Sequence, residues 1–548
     1  MRTKRLLFYL VALAFLFSCG KKQENAGRIV VGISADVQTF NPLFAISVDE
    51  GSIGELLFLN LVDFRWDSVE GNLYAEPMLA KKWEWADDSS SVTFYLRDDV
   101  KWSDGEKLTA GDVVYSLDVY SDPVVQSRVY GMFDDLYTDK DNHIDTAKTF
   151  VIKSPYVLQI NFKPNSSPAL IDVCYPVIPE HIFGKLKREE LATAKANFNP
   201  VTSGPFRLKK WNRNQSIILT ADNNSFLYND ANVQELIFKV IPDYTSRLTQ
   251  LKKGEIDLME LIHTEDIDDI KNSVTVKTID GREYDYVAWN NIDPDIYSQI
   301  GKAEPNPLFG SRKVRIALTH AINRKEILEE YLYNFGEIAV GPVSSIFKKY
   351  YNFNIKPYEY DPSKARKMLK EEGWSDSNND GTIDKNGNEF KFNLTYPGGN
   401  PLRKYAATII KNNLKAVGID VTIQTLELGA FIDNLSNKSM NSWMAAWYVP
   451  IPLEIKPYWY SNLKETPLNF VSYQNSEADS IMDKLEKNLP VKQKQKLYYK
   501  FQKIIHNDEP VTFMYWISDI VGVSKRLRNI NITPLGAIAH CWEWSVNK

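Results

Sequence analysis

Two periodicities interleave along this chain from residue 28 to its end. Short apolar runs bounded by turn residues mark strands, and apolar residues three and four apart mark helices. Residues 28–34 (RIVVGIS) read as a buried strand and 91–96 as another, followed by a turn over Ser103, Asp104, Gly105 and Glu106. Thr109 caps a helix running to about Tyr120. Residues 205–211 and 216–221 flank Asn212, Arg213, Asn214 and Gln215, the pattern of a hairpin. After a strand over 235–241, Asp243 opens a helix that ends at Lys253 and Gly254, with cations and glycine in their favoured C-terminal places. Asp361 and Pro362 start a helix whose inner face is Ala365, Met368 and Leu369 and whose stop is Gly373. Ala406, Ile410, Leu414 and Val417 form one stripe over 401–417, Gly418 ends it, and 419–425 is the next strand. Helices and strands alternating in this way predict α/β units around mixed sheets. No repeat or low-complexity linker interrupts them, which predicts domains joined by strands that cross directly.

The first residues break the pattern. Arg2, Lys4 and Arg5 precede an unbroken apolar run over 6–17, and Ser18, Cys19 and Gly20 follow. This is the layout of a secretory signal peptide, here 1–18. The run is too short to span a bilayer core of about 30 Å as a helix. Leu16, Phe17, Ser18 and Cys19 resemble the bacterial lipoprotein box, with Phe17 departing from the small residue preferred there. That resemblance implies cleavage before Cys19, acylation of its thiol and new amino group, and a membrane-anchored product in the periplasm or at the cell surface. Residues 19–27 are then the lipidated cysteine and a polar tether. Two or three acyl chains anchor stably where one does not.

At 548 residues the chain holds several units of about 150 residues. Its composition, 44% hydrophobic and 25% charged, excludes bulk disorder. The net charge is −5 and becomes more negative without the leader, which makes nucleic acid an unsuitable partner. Catalytic patterns are missing: there is no GxxxxGK[ST], GxSxG or GxGxxG, and none of the six histidines sits in HExxH or zinc spacing. The sequence therefore points to no enzyme and no cofactor. Cys174 and Cys541 remain after export, either bridged or as two buried thiols. Asp376, Asn378, Asp380 and Asp384, with Gly381 at the turn, match the first nine positions of a calcium loop. Gly387 stands where a bidentate Glu is needed, so the alternative is a polar hairpin tip.

Several longer runs carry a family likeness. Residues 72–117 include AEPMLAKKWEW and YLRDDVKWSDGEKLTAGDVVYSL; then come SGPF at 203–206, KGEID at 253–257, NPLFGSRKVRIALTHAINRKEIL from Asn306, DPSKARKMLKEEGW from Asp361 and NFVSYQNSEADSIMDKL at 469–485. This series resembles the oligopeptide- and dipeptide-binding family (family 5) of solute receptors for ABC importers. The resemblance implies an α/β, two-lobe periplasmic-binding-protein fold of the large, cluster C type, with an extra inserted subdomain and a two-strand hinge. Lobe I would be 28–62, 200–289 and 512–548, with 63–199 inserted into it, and lobe II 290–511. The crossing strands would lie near 287–290 and 511–515.

The same resemblance implies a monomeric receptor that takes a peptide, or a related small solute, into the cleft and delivers it to an ABC permease and ATPase. Members of the family also bind nickel complexes, haem, opines and sugars, and a sensor or chaperone without transport is a further alternative. Backbone recognition with roomy side-chain pockets suits mixed peptides. Phe40 and Asn41 in the loop after the first strand, Trp289 and Asn290 at the first crossing, and Trp447 and Tyr448 at the family's "GW" are the expected ligand contacts. Peptide-binding members place an Asp three residues after that Trp, to pair with the peptide's ammonium. Here the position is Pro450, and Glu454 is the nearest acid. The expectation is weak dependence on a free peptide N-terminus unless Glu454 takes the role.

Overall fold

The computed structural model describes residues 27–547. Its framework is one 11-stranded sheet that runs through both halves of the molecule. The strands are β1 (Arg28–Ile33), β2 (Phe206–Asn212), β3 (Ser216–Ala221), β4 (Glu235–Val240), β5 (Leu258–Met259), β6 (Val274–Trp289), β7 (Gly336–Ile338), β8 (Lys391–Pro397), β9 (Asp420–Leu426), β10 (Ser442–Tyr448) and β11 (Val511–Ser524). Their spatial order is β9-β8-β10-β6-β11-β5-β1-β4-β3-β2, with β7 added on β11. Parallel pairs β1–β4 and β8–β9 lie in the two halves, and long antiparallel β6 and β11 join them.

The hinge is written in the register of β6 and β11. Val274 to Ile279 pair with Ser524 to Asp519 in the first lobe, and Glu283 to Ala288 pair with Ile517 to Val511 in the second. The register breaks between Ile279 and Glu283. At this break a Cβ on Gly281 would lie 1.4 Å from the Ile517 carbonyl oxygen, so the backbones approach as only glycine allows. The lobe change thus falls at 280–282 and 517–518. The crossings expected from the sequence lie a few residues away, near 287–290 and 511–515, where most side chains pack in core clusters of the second half. Their side chains alternate, as strands covered on both faces require. Val287, Trp289 and Tyr515 pack into one core of this lobe, and Tyr284, Tyr286, Phe513 and Trp516 into the other.

The first lobe has a large core and a smaller one around Leu251, Ile256, Ile270 and Ile520. A four-stranded antiparallel sheet within the inserted segment, Ala80–Trp85, Ser91–Leu96, Val157–Asn161 and Phe150–Ser154 in that spatial order, contributes Val92, Phe94, Leu158 and Ile160 to the core that also holds Ile29 and Val31 of β1. Local signals stand where the sequence places them. Thr109 and Asp112 form a capping box, Asp243 accepts from the Ser246 amide, and Asp361 precedes Pro362 at the start of its helix. Gly254 and Gly418 take the left-handed conformation that ends a helix.

Three readings of the sequence concern the cysteines and the acidic loop. Cys174 and Cys541 are free, buried thiols, and burial pushes both upward in pKa. In the calcium-like loop, Asp376 accepts from the amides of Asp380 and Gly381, Asp380 from Thr382, and Asp384 from Ser377, while Asn378 donates to Asp380. The carboxylates are turned to the backbone, and no metal-holding group of three His, Cys, Asp or Glu exists among the described residues. The loop is a polar turn. Cys19 and the leader lie outside the described residues, among which no helix is long and apolar enough to cross a membrane.

Candidate functional site

The lobes meet at two places away from the hinge and enclose a cleft between. The hairpin Val62–Asp67 and Asn72–Pro77 lies against the 346–349 segment: the Lys349 amide donates to the Glu70 carbonyl (2.8 Å), Lys348 Nζ to the Ser68 carbonyl (2.8 Å), and Trp66 meets Phe347 edge-on. Beyond them the Asn488 amide donates to Ser167 Oγ (2.8 Å). Two adjoining cavities lie between these contacts. One of about 210 Å³ is lined by Glu55, Phe58, Asp63, Ile171, Ile451 and His540 among others. Another of about 320 Å³ is lined from the first lobe by Tyr74 and Leu170 and from the second by Phe347, Tyr350, Ile451 and Leu453. Both take Ile451 from the segment that follows β10, so the end of β10 faces the cleft.

Tyr448, the last residue of β10, is 51% exposed. Its hydroxyl accepts from Arg282 Nη2 at 2.7 Å, and the guanidinium also lies 4.3 Å from its ring centre. Arg282 donates further to the carbonyls of Val449 (3.0 Å) in the second lobe and Pro534 (3.1 Å) in the first. This guanidinium, one residue past Gly281, therefore ties both lobes at the hinge.

Asp519 is the carboxylate that acts on it, and other acids lie in the first lobe and at the far end of the cleft. Glu260, just after β5, is pushed up to about 7 by burial and by the neighbouring charges of Asp49 and Asp519. Burial raises Asp49, Asp519 and Glu283 as well, with Arg247 and Arg282 opposing it at Asp49 and Asp519 respectively. Glu55 is raised by burial against the opposing field of Arg128 and His540. At the far end Asp172 is pushed up to about 6 by burial, opposed by the Ala169 amide and reinforced by Asp135 and Glu454. Glu454 is raised by burial and by Glu486. Apolar side chains stand exposed beside the first-lobe acids: Ile46 at 84%, Val48 at 79% and Leu261 at 73%.

Of the expected contacts, Tyr448 and Glu454 stand exposed on either side of the cavity-lining Ile451 and Leu453. Trp447 points behind it, stacked on Phe470 (5.5 Å) and tilted on Tyr458 (4.6 Å), in a small aromatic pocket within the second lobe. The other four are buried. Trp289 is fully buried and donates its Nε1–H to Thr512 Oγ1 (3.0 Å). Asn290, equally buried, donates to the carbonyls of Lys438 and Met440 and accepts from the Ile292 amide. Phe40 packs edge-on against Trp211 (4.9 Å), and Asn41 donates to Asn197 Oδ1 (2.8 Å) and accepts from Leu43. In this structure their side chains are engaged with neighbouring residues. Asp49, Glu260, Arg282, Glu283 and Asp519 were not anticipated. The available signal was an acid inside an otherwise apolar strand, as in REYDYVAW and YWISDIVGV.

Comparison with known proteins decides the family. The pattern of the bacterial extracellular solute-binding proteins, family 5 Middle, matches residues 75–468, more than half of the chain. The chain belongs to that family. It is thus an extracellular solute-binding protein, of a family that binds rather than transforms its ligands. The oligopeptide-binding protein AppA of Bacillus subtilis is 28% identical over 540 residues, 97% of this chain and 93% of the relative. The structure of AppA in complex with a nonapeptide superposes with a TM-score of 0.70 at 27% identity, covering 95% of this chain and 99% of that one. NikZ of Campylobacter jejuni in complex with Ni(L-His) shares the fold, with a TM-score of 0.72 at 23% identity, covering 95% and 99%. The two-lobe periplasmic-binding-protein architecture of this receptor is the one these structures have.

Proposed function

We propose that this family 5 receptor captures oligopeptides in the inter-lobe cleft and delivers them to an ABC importer from a lipid anchor at Cys19. The cleft carries the reading. Its adjoining cavities of about 210 and 320 Å³ take walls from both lobes and share Ile451 of the segment after β10, leaving room for an extended chain rather than a compact ion. The full-length likeness to an oligopeptide-binding protein supports the same choice. Apolar side chains at 46, 48 and 261 and the aromatic Tyr448 offer contact area to varied peptide side chains, while strand ends offer backbone groups.

A ligand that touches both lobes favours the closed arrangement by its differential affinity. Ligands retained on purification are expected to be peptides by mass spectrometry, and re-addition to the unfolded-and-refolded, ligand-free protein should reduce the radius of gyration in X-ray scattering. Retention of a metal complex or sugar in place of peptide would overturn the peptide reading, and an unchanged radius at saturation would remove the hinge from the mechanism.

The anchor has its own test. The full-length chain, expressed in a bacterium that processes lipoproteins, should enter the detergent phase of a Triton X-114 partition, and Cys19→Ala should remain in the aqueous phase. Equal partition of the two would show that Cys19 carries no lipid.

A further inference from the structure

We infer that the hairpin Val62–Pro77 of the inserted segment is a clasp. Its tip seats on residues 346–349 of the second lobe when the lobes close and, with the cleft as the ligand site proposed above, it sets how fast a bound ligand leaves.

The two ends of the hairpin belong to different lobes. At its base Phe64 and Ala75 pack on the large core of the first lobe. There Asp63 pairs with His540 (2.8 Å), and Arg65 with Asp63 (2.7 Å), Glu76 (3.1 Å) and Glu543 (2.6 Å). Towards the tip Trp66 packs on the second lobe instead. The tip holds its own shape. Asp67 Oδ1 accepts from the amides of Val69 (2.8 Å) and Glu70 (3.0 Å), and the Gly71 amide donates to the Asp67 carbonyl (2.7 Å). The receiving loop is fixed within its own lobe as well. Ser344 Oγ donates to the Gly281 carbonyl (2.8 Å) at the hinge and accepts from the Ile346 amide (3.3 Å). Gln495 holds the Lys349 carbonyl (2.8 Å) and Gln502 the Tyr350 carbonyl (2.7 Å). Two surfaces formed in advance meet and part with little ordering of either.

Gly71 shows how close the fit is. Residues 68–70 are exposed, yet Gly71 is buried. The atoms nearest its Cβ position all belong to the second lobe, with the Ile346 carbonyl oxygen at 1.9 Å and the Lys348 amide nitrogen at 2.3 Å. Backbones of the two lobes therefore touch where only glycine fits. The bonds across the joint are few. The Lys349 amide donates to the Glu70 carbonyl (2.8 Å), Lys348 Nζ to the Ser68 carbonyl (2.8 Å), and Lys349 pairs with the half-exposed Glu70 carboxylate (3.2 Å). A joint of close fit and weak bonds suits a catch that opens. No ligand atom is needed for any of these contacts, so the clasp engages in the empty protein too. Beside it lies the cavity of about 320 Å³, with Trp66, Asn72 and Tyr74 of the hairpin on one side and Phe347 and Tyr350 on the other. Parting hairpin from loop removes one wall of that cavity, so a group held there leaves faster.

Gly71→Ala sets a methyl group against Ile346 and Lys348, and Gly254→Ala is its control. Gly254 has the same left-handed backbone (φ +71°), but nothing lies within 4 Å of its Cβ position, so it reproduces the strain without the clash. Hydrogen exchange at the Lys349 amide reads the clasp in the ligand-free mature protein. Gly71→Ala should speed exchange there about tenfold over Gly254→Ala, while the amides of residues 284–288 in the second lobe's sheet stay equally protected. Stopped-flow tryptophan emission follows a nonapeptide on and off. It should leave Gly71→Ala about tenfold faster than the control, with association changed less than about threefold, because the clasp closes after capture. Equal exchange at Lys349 in the two variants overturns the clasp and leaves the peptide reading intact. Faster exchange with unchanged release shows that the hairpin does not govern ligand departure, which overturns the clasp as well. If no nonapeptide binds the parent protein, the peptide reading fails, and exchange at Lys349 decides by itself whether hairpin and loop form a closing joint.

Discussion

Gly281→Ala is expected to destabilise the fold by about 3 kcal/mol or more and to blunt ligand-induced closure. The added methyl carbon would lie 1.4 Å from the Ile517 carbonyl oxygen and 2.6 Å from its carbon. Both are backbone atoms of the second crossing strand, so no side-chain rotation relieves the clash. The strands must part at the very place where β6 and β11 change lobes. Ser344 adds to the constraint, donating its hydroxyl to the Gly281 carbonyl (2.8 Å). Parting the strands also shifts Arg282, which spans Val449 and Pro534 across the hinge. Gly341→Ala is the control, since nothing stands within 4 Å of its Cβ position and its backbone conformation suits any residue. Urea unfolding of the two variants should differ by the stated amount, and scattering should show a smaller ligand-dependent contraction for Gly281→Ala. Equal stability of the two would mean that the hinge strands tolerate separation.

Much of the fold was legible because its signals are local. A cap such as Thr109 or Asp243 needs only its own next turn, and the stripe Ala406, Ile410, Leu414 needs only helical periodicity. The site was less legible, for two physical reasons. Where a strand is covered on both faces, as β6 is, apolar and aromatic residues fill both parities. Trp289 in such a strand gives no sign of whether its ring meets a ligand or Phe309 and Phe392. Tyr448 differs because the strand ends there, and a strand end at the lobe boundary has an open side. The acids pose the opposite problem. Asp49, Glu260, Glu283 and Asp519 are individually ordinary surface-type residues. What sets them apart is burial beside other charges, which exists only once separate segments have been brought together. The hinge position also escaped, because Gly281 is one glycine among 26 until the Ile517 carbonyl is placed against it.

Arg403→Ala should cost about 3–5 kcal/mol at pH 8 and clearly less at pH 5. Arg403, at the start of the helix Pro401–Lys415, reaches Asp285 with Nη2 at 2.9 Å, and the side chains are only 13% and 2% exposed. Burial raises the Asp285 carboxyl, and Arg403 is the one group that opposes it. Removing the guanidinium leaves a charge in the core with no counter-ion, the costly way to break a buried pair. Without that opposition the folded-state pKa of Asp285 rises further above its unfolded value of about 3.9. For such a group the folded state binds the proton more tightly than the unfolded state. Its contribution to stability is fully present below the unfolded pKa and is lost as pH rises through the folded one. The deficit of Arg403→Ala relative to the parent protein must therefore grow from pH 5 to pH 8. Replacing both partners by apolar residues, Asp285→Leu with Arg403→Met, removes the orphaned charge and should recover most of the loss at pH 8, as apolar replacements of buried ion pairs do. Equilibrium urea unfolding of the parent, single and double variants at the two pH values checks each step. A deficit equal at both pH values would place its origin in lost packing of the Arg403 stem. A double variant no better than Arg403→Ala at pH 8 would lead to the same conclusion, and Asp285 would then not depend on its cation.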